Sequence, residues 1–315
     1  MSRLFIAAVC VACALGVLTA AGQQAVFRGR GDAVRVFVTV TDRDGRLVTS
    51  LTRDQFEIRD EGRPQPITLF DNTPRPIRLI VMLDVSGSME GNLPLLRAAA
   101  EQLFARLEPD DAARVGTFGG DVTISAEFTR DPAQLRRALP DRIPSDAPTP
   151  LWRAIDEALD VFADEGDERP VILVLSDGKD SGPIGFRQRT ASQGEVIDRA
   201  REEDVMIYGI GMRSRAARPM PPPIGPGALQ AMMVADLPDP GLARVAEETG
   251  GGYSEIRFGQ DLGAAFAQVA DELHSQYLLG FAPLRRDGNV HDIDVRVTQR
   301  GLTPRARKSY VAPRP

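Results

Sequence analysis

The sequence predicts an α/β protein: a doubly wound, mostly parallel open sheet of Rossmann-like type, inserted in a small antiparallel β-sandwich formed by the N- and C-terminal flanks. Three observations predict it. Leu79–Leu83, Val171–Leu175 and Val205–Ile210 are nearly continuous apolar runs, as expected of parallel strands covered on both faces. Between and after them lie helix-spaced apolar sets: Leu96, Ala100, Leu103, Leu107; Leu151, Ile155, Leu159, Phe162; and Leu262, Phe266, Val269, Leu273. The flanks change period. Val34, Val36, Val38 and Val40 alternate with Arg35, Phe37, Thr39 and Thr41, and Ile293, Val295 and Val297 alternate with Asp294, Arg296 and Thr298.

In chain order, Arg3 precedes an apolar run from Leu4 to Leu18 and a small-residue exit, Thr19 to Gly22. A basic start, a short apolar stretch and small residues have the form of a secretory signal peptide, and the run is short for a membrane span. Residues 1–22 are therefore expected to be removed, leaving no transmembrane span and a secreted or periplasmic protein. A retained anchor is the alternative. Both cysteines, Cys10 and Cys13, lie in this segment, so the mature chain would be stable through its core alone. Residues 23–76 form an N-terminal β-segment, 77–276 the α/β domain, and 277–315 a C-terminal β-segment that pairs with the first. "DRDG" at 42–45 and "RRDG" at 285–288 supply turn chemistry, and "GTFGGD" at 116–121 is a strand-to-strand turn. Arg213 to Pro240 is a long proline-rich irregular stretch, a class that is functional or disordered.

In an open α/β sheet, ligands bind at the carboxyl ends of the strands. "IVMLDVSGSM" ends one apolar strand in Asp84, Ser86 and Ser88; Thr149 stands just before a helix; Asp177 follows "VILVLS". Each alone has an ordinary reading, since Asp and Ser cap helices, Thr149 precedes Pro150, and Asp177-Gly178 makes a turn. Together they place two carboxylates and three hydroxyls at one pole. These are hard oxygen donors, suited to Mg²⁺ first and to Mn²⁺ or Ca²⁺ as alternatives. Two aspartates balance a divalent charge, and a cation held this way can accept a carboxylate from a partner.

"DVSGSM", the Thr149 loop and "LSDGKD" resemble the metal-ion-dependent adhesion site of von Willebrand factor A domains, Asp-x-Ser-x-Ser followed by Thr and Asp on separate loops. The resemblance covers about two thirds of the chain, 77–276, and all five positions match. It implies that Ser86, Ser88 and Thr149 ligate the cation directly or nearly so, while Asp84 and Asp177 act largely through waters. Lys179, Asp180 and Gly119 would form the rim met by a ligand. The flanks "VFVTVTDRDGRLVTSLTRDQFEIRDEG" and "YLLGFAPLRRDGNVHDIDVRV" are similar to a secreted bacterial subfamily of the acidobacterial type.

The expected function is cation-dependent binding of a protein that offers an Asp or Glu carboxylate, as in cell adhesion. A scaffold role in an envelope assembly is the alternative. Enzymatic activity is not expected. The two histidines, His274 and His291, fall outside the proposed metal pole, and neither a Gly-x-Ser-x-Gly elbow nor a phosphate loop occurs. A phosphatase using Asp84 would want a second carboxylate close behind it, where Ser86 stands, which leaves a metal-dependent hydrolase as the lesser alternative. A net charge of -6 argues against nucleic acid as partner.

Overall fold

The computed structural model describes residues 33–143, 147–162, 168–177, 179–181, 190–212, 239–256 and 261–314. The expected signal peptide, residues 182–189 of the loop after Asp177, and 213–238 of the proline-rich stretch lie outside them. Among the described residues no helix is long and apolar enough to cross a membrane.

The chain opens with four strands, β1 (Val34–Thr41), β2 (Phe56–Asp60), β3 (Arg63–Gln65) and β4 (Leu69–Asp71). The α/β region follows: β5 (Ile77–Asp84), α1 (Leu93–Phe104), β6 (Ala112–Gly119), β7 (Asp121–Ile124), α2 (Pro132–Ala138) and α3 (Leu151–Asp160). It continues through β8 (Arg169–Ser176), α4 (Gln193–Glu202), β9 (Met206–Met212), α5 (Pro240–Thr249), β10 (Tyr253–Ile256) and α6 (Leu262–His274). Four strands close the chain: β11 (Tyr277–Phe281), β12 (Val290–Val297), β13 (Thr303–Arg305) and β14 (Ser309–Val311).

The central sheet has the order β10-β9-β8-β5-β6-β7, parallel except for β7. Helices cover both faces. Ile77, Leu79, Val81 and Leu83 pack with Leu96, Ala100 and Leu103 of α1 and Phe266 and Val269 of α6. Ile80, Met82, Ile172 and Val174 pack on the other side with Leu151 and Ile155 of α3, Val196 of α4 and Val245 of α5. Burial on two faces is the reason these strands read as unbroken apolar runs. From β5 the chain moves to β6 on one side and later to β8 on the other, so strand order reverses at β5. That reversal opens a crevice at the carboxyl ends of β5 and β8.

The flanks form two antiparallel sheets, β13-β1-β11-β4 and β14-β12-β2-β3. Each sheet mixes strands from both ends of the chain; β1 pairs with β11 from Val34↔Phe281 to Val38↔Tyr277, and β2 pairs with β12. Between them lies a separate core that includes Val36, Val38, Ile58, Tyr277, Leu279, Phe281 and Ile293. Neither flank has enough apolar surface to be stable alone, and the pairing buries both.

The sandwich meets the α/β region where β5 and β8 begin. The Arg169 guanidinium, at the first residue of β8, donates to the Gln276 side-chain oxygen and to Leu273 O (3.1 Å), and lies 4.4 Å over the Phe37 ring. The Gln276 amide donates in turn to Thr39 Oγ1 (2.8 Å) and the Tyr208 hydroxyl (3.3 Å). Nearby, Asp111 accepts from the Ile77 N–H (3.0 Å) and pairs with His274 Nε2 (2.8 Å), fixing the start of β5 to the end of α6.

Candidate metal centre

Asp84 is the last residue of β5, and Asp177 follows β8, its neighbour in the sheet. Parallel pairing therefore brings the two carboxylates to the same end, at the crevice. Both are buried, 0% and 2% exposed, together with Ser86 (1%) and Thr149 (6%). Four buried polar side chains, three of them at or just after the ends of apolar strands and Thr149 preceding α3, need partners.

Hydrogen bonds supply part of them. Asp84 Oδ1 accepts from its neighbour's backbone, Ser86 N–H (2.8 Å), which turns the chain sharply after β5. Asp84 Oδ2 accepts from the Ser176 hydroxyl (2.5 Å). Ser86 Oγ and Ser88 Oγ are 3.0 Å apart, and Ser88 Oγ donates to Asp177 Oδ1 (2.7 Å). Neither serine hydroxyl caps a helix in the way that would make it merely structural: the short 3₁₀ turn Gly87–Met89 has no side-chain cap bond from Ser86, and the N-cap of α1 is Asn92.

Backbone bonds tie the surrounding loops together. Gly87 N–H reaches Ala147 O (3.1 Å), Gly120 N–H reaches Pro148 O (3.1 Å), and Ser181 N–H reaches Thr149 O (2.9 Å). The loops after β5, β6 and β8 are thus all fastened to the Ala147–Thr149 segment. Gly119 matters for a steric reason. A Cβ there would stand 2.6 Å from Val85 O and 2.9 Å from Ser86 N, so the end of β6 can lie against the Asp84–Ser88 turn only with glycine. Gly119→Ala should destabilise the protein by about 1–3 kcal/mol and weaken cation binding, read by thermal melting and by cation titration. An alanine variant unchanged in both would show that the turn tolerates displacement.

The electrostatics are unbalanced. Burial raises the Asp84 carboxyl above the usual range, against hydrogen bonds from Ser176 and Ser86 that lower it. Burial pushes Asp177 up to about 6, with the Asp84 charge adding to the rise and the Ser88 hydrogen bond opposing it. Among the described residues no Arg, Lys or His forms an ion pair with either carboxylate. Among the described residues, Asp177 Oδ2 is buried with no hydrogen-bond partner. An orphaned carboxylate oxygen beside a second carboxylate and three hydroxyls fits a hard divalent cation, which would supply the missing positive charge. Among the described residues no group of three or more His, Cys, Asp or Glu is placed to hold a metal. The present donor set is of a different composition, two carboxylates with hydroxyls.

The five residues named from the sequence are therefore on neighbouring loops at one pole. Of the proposed rim, Lys179 is exposed and Gly119 lines the turn. Asp180 is engaged in scaffolding: its Oδ1 accepts from Trp152 N–H (3.3 Å) and its own N–H donates to Asp239 Oδ2 (3.2 Å). The sequence reading missed Ser176, although the signal was the same one that marked Asp84, a polar group closing an apolar strand.

A family model described as the von Willebrand factor type A domain matches residues 79–179, a segment that contains all five. No curated protein matches the chain. Similar solved structures include the conserved hypothetical protein BatB from Bacteroides thetaiotaomicron, at 18% identity and a TM-score of 0.45, over 62% of this chain and 98% of that one. A von Willebrand factor type A protein from Catenulispora acidiphila is 11% identical with a TM-score of 0.48, over 90% and 75% of the two chains. Proximal thread matrix protein 1 from the mussel byssus, solved with a zinc-occupied MIDAS motif, is 18% identical with a TM-score of 0.48, over 69% and 50%.

Proposed function

We propose that the chain, whose residues 79–179 match the von Willebrand factor type A domain, binds one divalent cation, Mg²⁺ first, through Asp84, Ser86, Ser88, Thr149 and Asp177, and uses it to hold a protein partner. The observation that carries this reading is the buried, unpartnered Asp177 oxygen beside Asp84. Bound there, the cation would supply a Lewis-acidic positive charge able to accept a carboxylate oxygen from an Asp or Glu of the partner. The chain's own residues do the rest. Ser176 and the Ser86 N–H hold Asp84 in one orientation, and Ser88 holds one oxygen of Asp177, leaving the other for the cation. Two aspartates neutralise the divalent charge without a third anion, so an incoming carboxylate is not repelled by excess ligand charge.

A binding role is favoured over hydrolysis by where the histidines sit. His274 is bonded to Asp111, which holds Ile77 at the start of β5, about 23 Å along that strand from Asp84 at about 3.3 Å per residue. His291 is buried in the sandwich with Asp60 and Tyr310. A proton-transferring base next to the cation would have to come from elsewhere. The protein is proposed to act outside the cytoplasm, in the periplasm or secreted, on the strength of its N-terminal sequence.

The test is capture of partners from cell-envelope extract on immobilised wild type, with and without EDTA, beside Asp84→Ala. A partner held by wild type with Mg²⁺ and released by EDTA, and not held by the variant, is the expected result. Partners that ignore both EDTA and the substitution would refute cation-dependent binding.

A further inference from the structure

Among the described residues, the Thr149 side chain makes no hydrogen bond to Asp84, Ser86, Ser88 or Asp177, which are linked to one another. Its position is set from another loop. Its N–H donates to Ser181 Oγ (2.9 Å), and its carbonyl accepts from Ser181 N–H (2.9 Å). A single serine thus grips the backbone of Thr149 from both sides. Pro150 adds a constraint from within the chain, because a following proline biases Thr149 toward extended backbone.

The helix that begins there is held by the same segment. Pro150, the N-cap of α3, has no side-chain cap bond. An unsatisfied N–H in the first turn of α3, that of Trp152, goes instead to Asp180 Oδ1 (3.3 Å). Asp180 is in turn held by Asp239, the N-cap of α5. So β8 and the residues just after it supply Asp177, orient Asp84 through Ser176, and fasten the Thr149 loop through Ser181 and Asp180.

We infer that Ser181 is a positioning residue for the cation site, acting through the backbone of Thr149 and not by touching the cation. The inference rests on the metal-binding reading above and deepens it. Ser181 is itself exposed, so its side chain can be changed without disturbing a core.

The test uses the full chain as wild type, Ser181→Thr and Ser181→Val, two variants of equal shape with and without the hydroxyl. Mn²⁺ and Mg²⁺ are titrated by calorimetry, and each protein is melted in EDTA. Ser181→Val should bind Mn²⁺ about tenfold more weakly, Ser181→Thr should restore near-wild-type affinity, and the cation-free melting temperatures should stay close together. A merely structural serine would move the cation-free melting and leave the affinity alone. Wild-type affinity in Ser181→Val overturns the inference while leaving the metal site standing. A wild-type chain that binds neither cation removes the metal site and the inference together.

Discussion

At pH 7.5 in EDTA, Asp177→Asn should melt higher than wild type by several degrees, and it should lose the stabilisation that Mg²⁺ or Mn²⁺ gives wild type. The two effects share a cause. Asp177 is buried beside Asp84, and its carboxyl is pushed up to about 6. A carboxyl raised in the folded state binds its proton more tightly there than in the unfolded chain. Its contribution to cation-free stability therefore falls as pH rises from the ordinary carboxylate range through about 6. Above that pH, the buried charge costs roughly 3 kcal/mol. Asparagine keeps the shape and one oxygen, so the Ser88 hydrogen bond survives while the charge goes. A rise of about 2–4 °C for each kcal/mol is expected for a chain of this size. The cation does for wild type what the amide does for the variant, and it must compete with a proton to do so. Cation-induced stabilisation of wild type should accordingly be larger at pH 7.5 than at pH 5. Asp177→Asn that melts lower than wild type in EDTA, or that keeps the cation shift, contradicts this account.

Arg169→Ala should cost about 2–4 kcal/mol in urea unfolding, from the loss of hydrogen bonds given by a charged donor to two neutral acceptors and of packing against Phe37. Burial draws the guanidinium down to about 10, which leaves it charged at neutral pH. Removing it strips the Gln276 side-chain oxygen and Leu273 O of a donor, and empties the space against Phe37. Gln276 then loses the anchor that aims its amide at Thr39 and Tyr208. These groups come from β1, β9 and the α6–β11 junction, so the loss falls where the sandwich joins the α/β region. Arg169→Met keeps the apolar stem over Phe37 and should cost less than alanine. A loss below about 1 kcal/mol for Arg169→Ala would show that the junction is held mainly by other contacts.

The parts of the fold legible in the sequence are those with one dominant environment. Strands β5, β8 and β9 are covered on both faces, and their apolar runs say so. Strand β6 gave less signal because it is built from small residues and carries Arg114, whose guanidinium lies 4.5 Å over the Phe128 ring. Strands β2, β3 and β4 are three to five residues long and include buried polar groups, Asp60 and Gln65, so no period could establish itself. Helix α4 starts with a Ser192–Glu195 capping box, a local signal that lay in the sequence unused. The cation site was legible because each of its loops breaks an apolar pattern with oxygens. Ser181, and the scaffolding role of Asp180, a residue the sequence assigns to the rim, were not. Their contribution is a hydrogen bond to Thr149 and Trp152, residues 32 and 28 positions away, and it exists only once β8 lies next to β5. Sequence shows which groups are polar; strand order decides which of them meet.

The most direct test of the central claim is a count of bound cations: Mn²⁺ titrated into metal-free wild type and into Asp84→Ala, with free Mn²⁺ followed by electron paramagnetic resonance. Asp84 is fully buried, and its substitution removes a carboxylate held by Ser176 and the Ser86 N–H. One Mn²⁺ is expected per wild-type chain, displaced by Mg²⁺, and none in Asp84→Ala at the same concentrations. No binding by wild type, or one Mn²⁺ still bound by the variant, would contradict that claim.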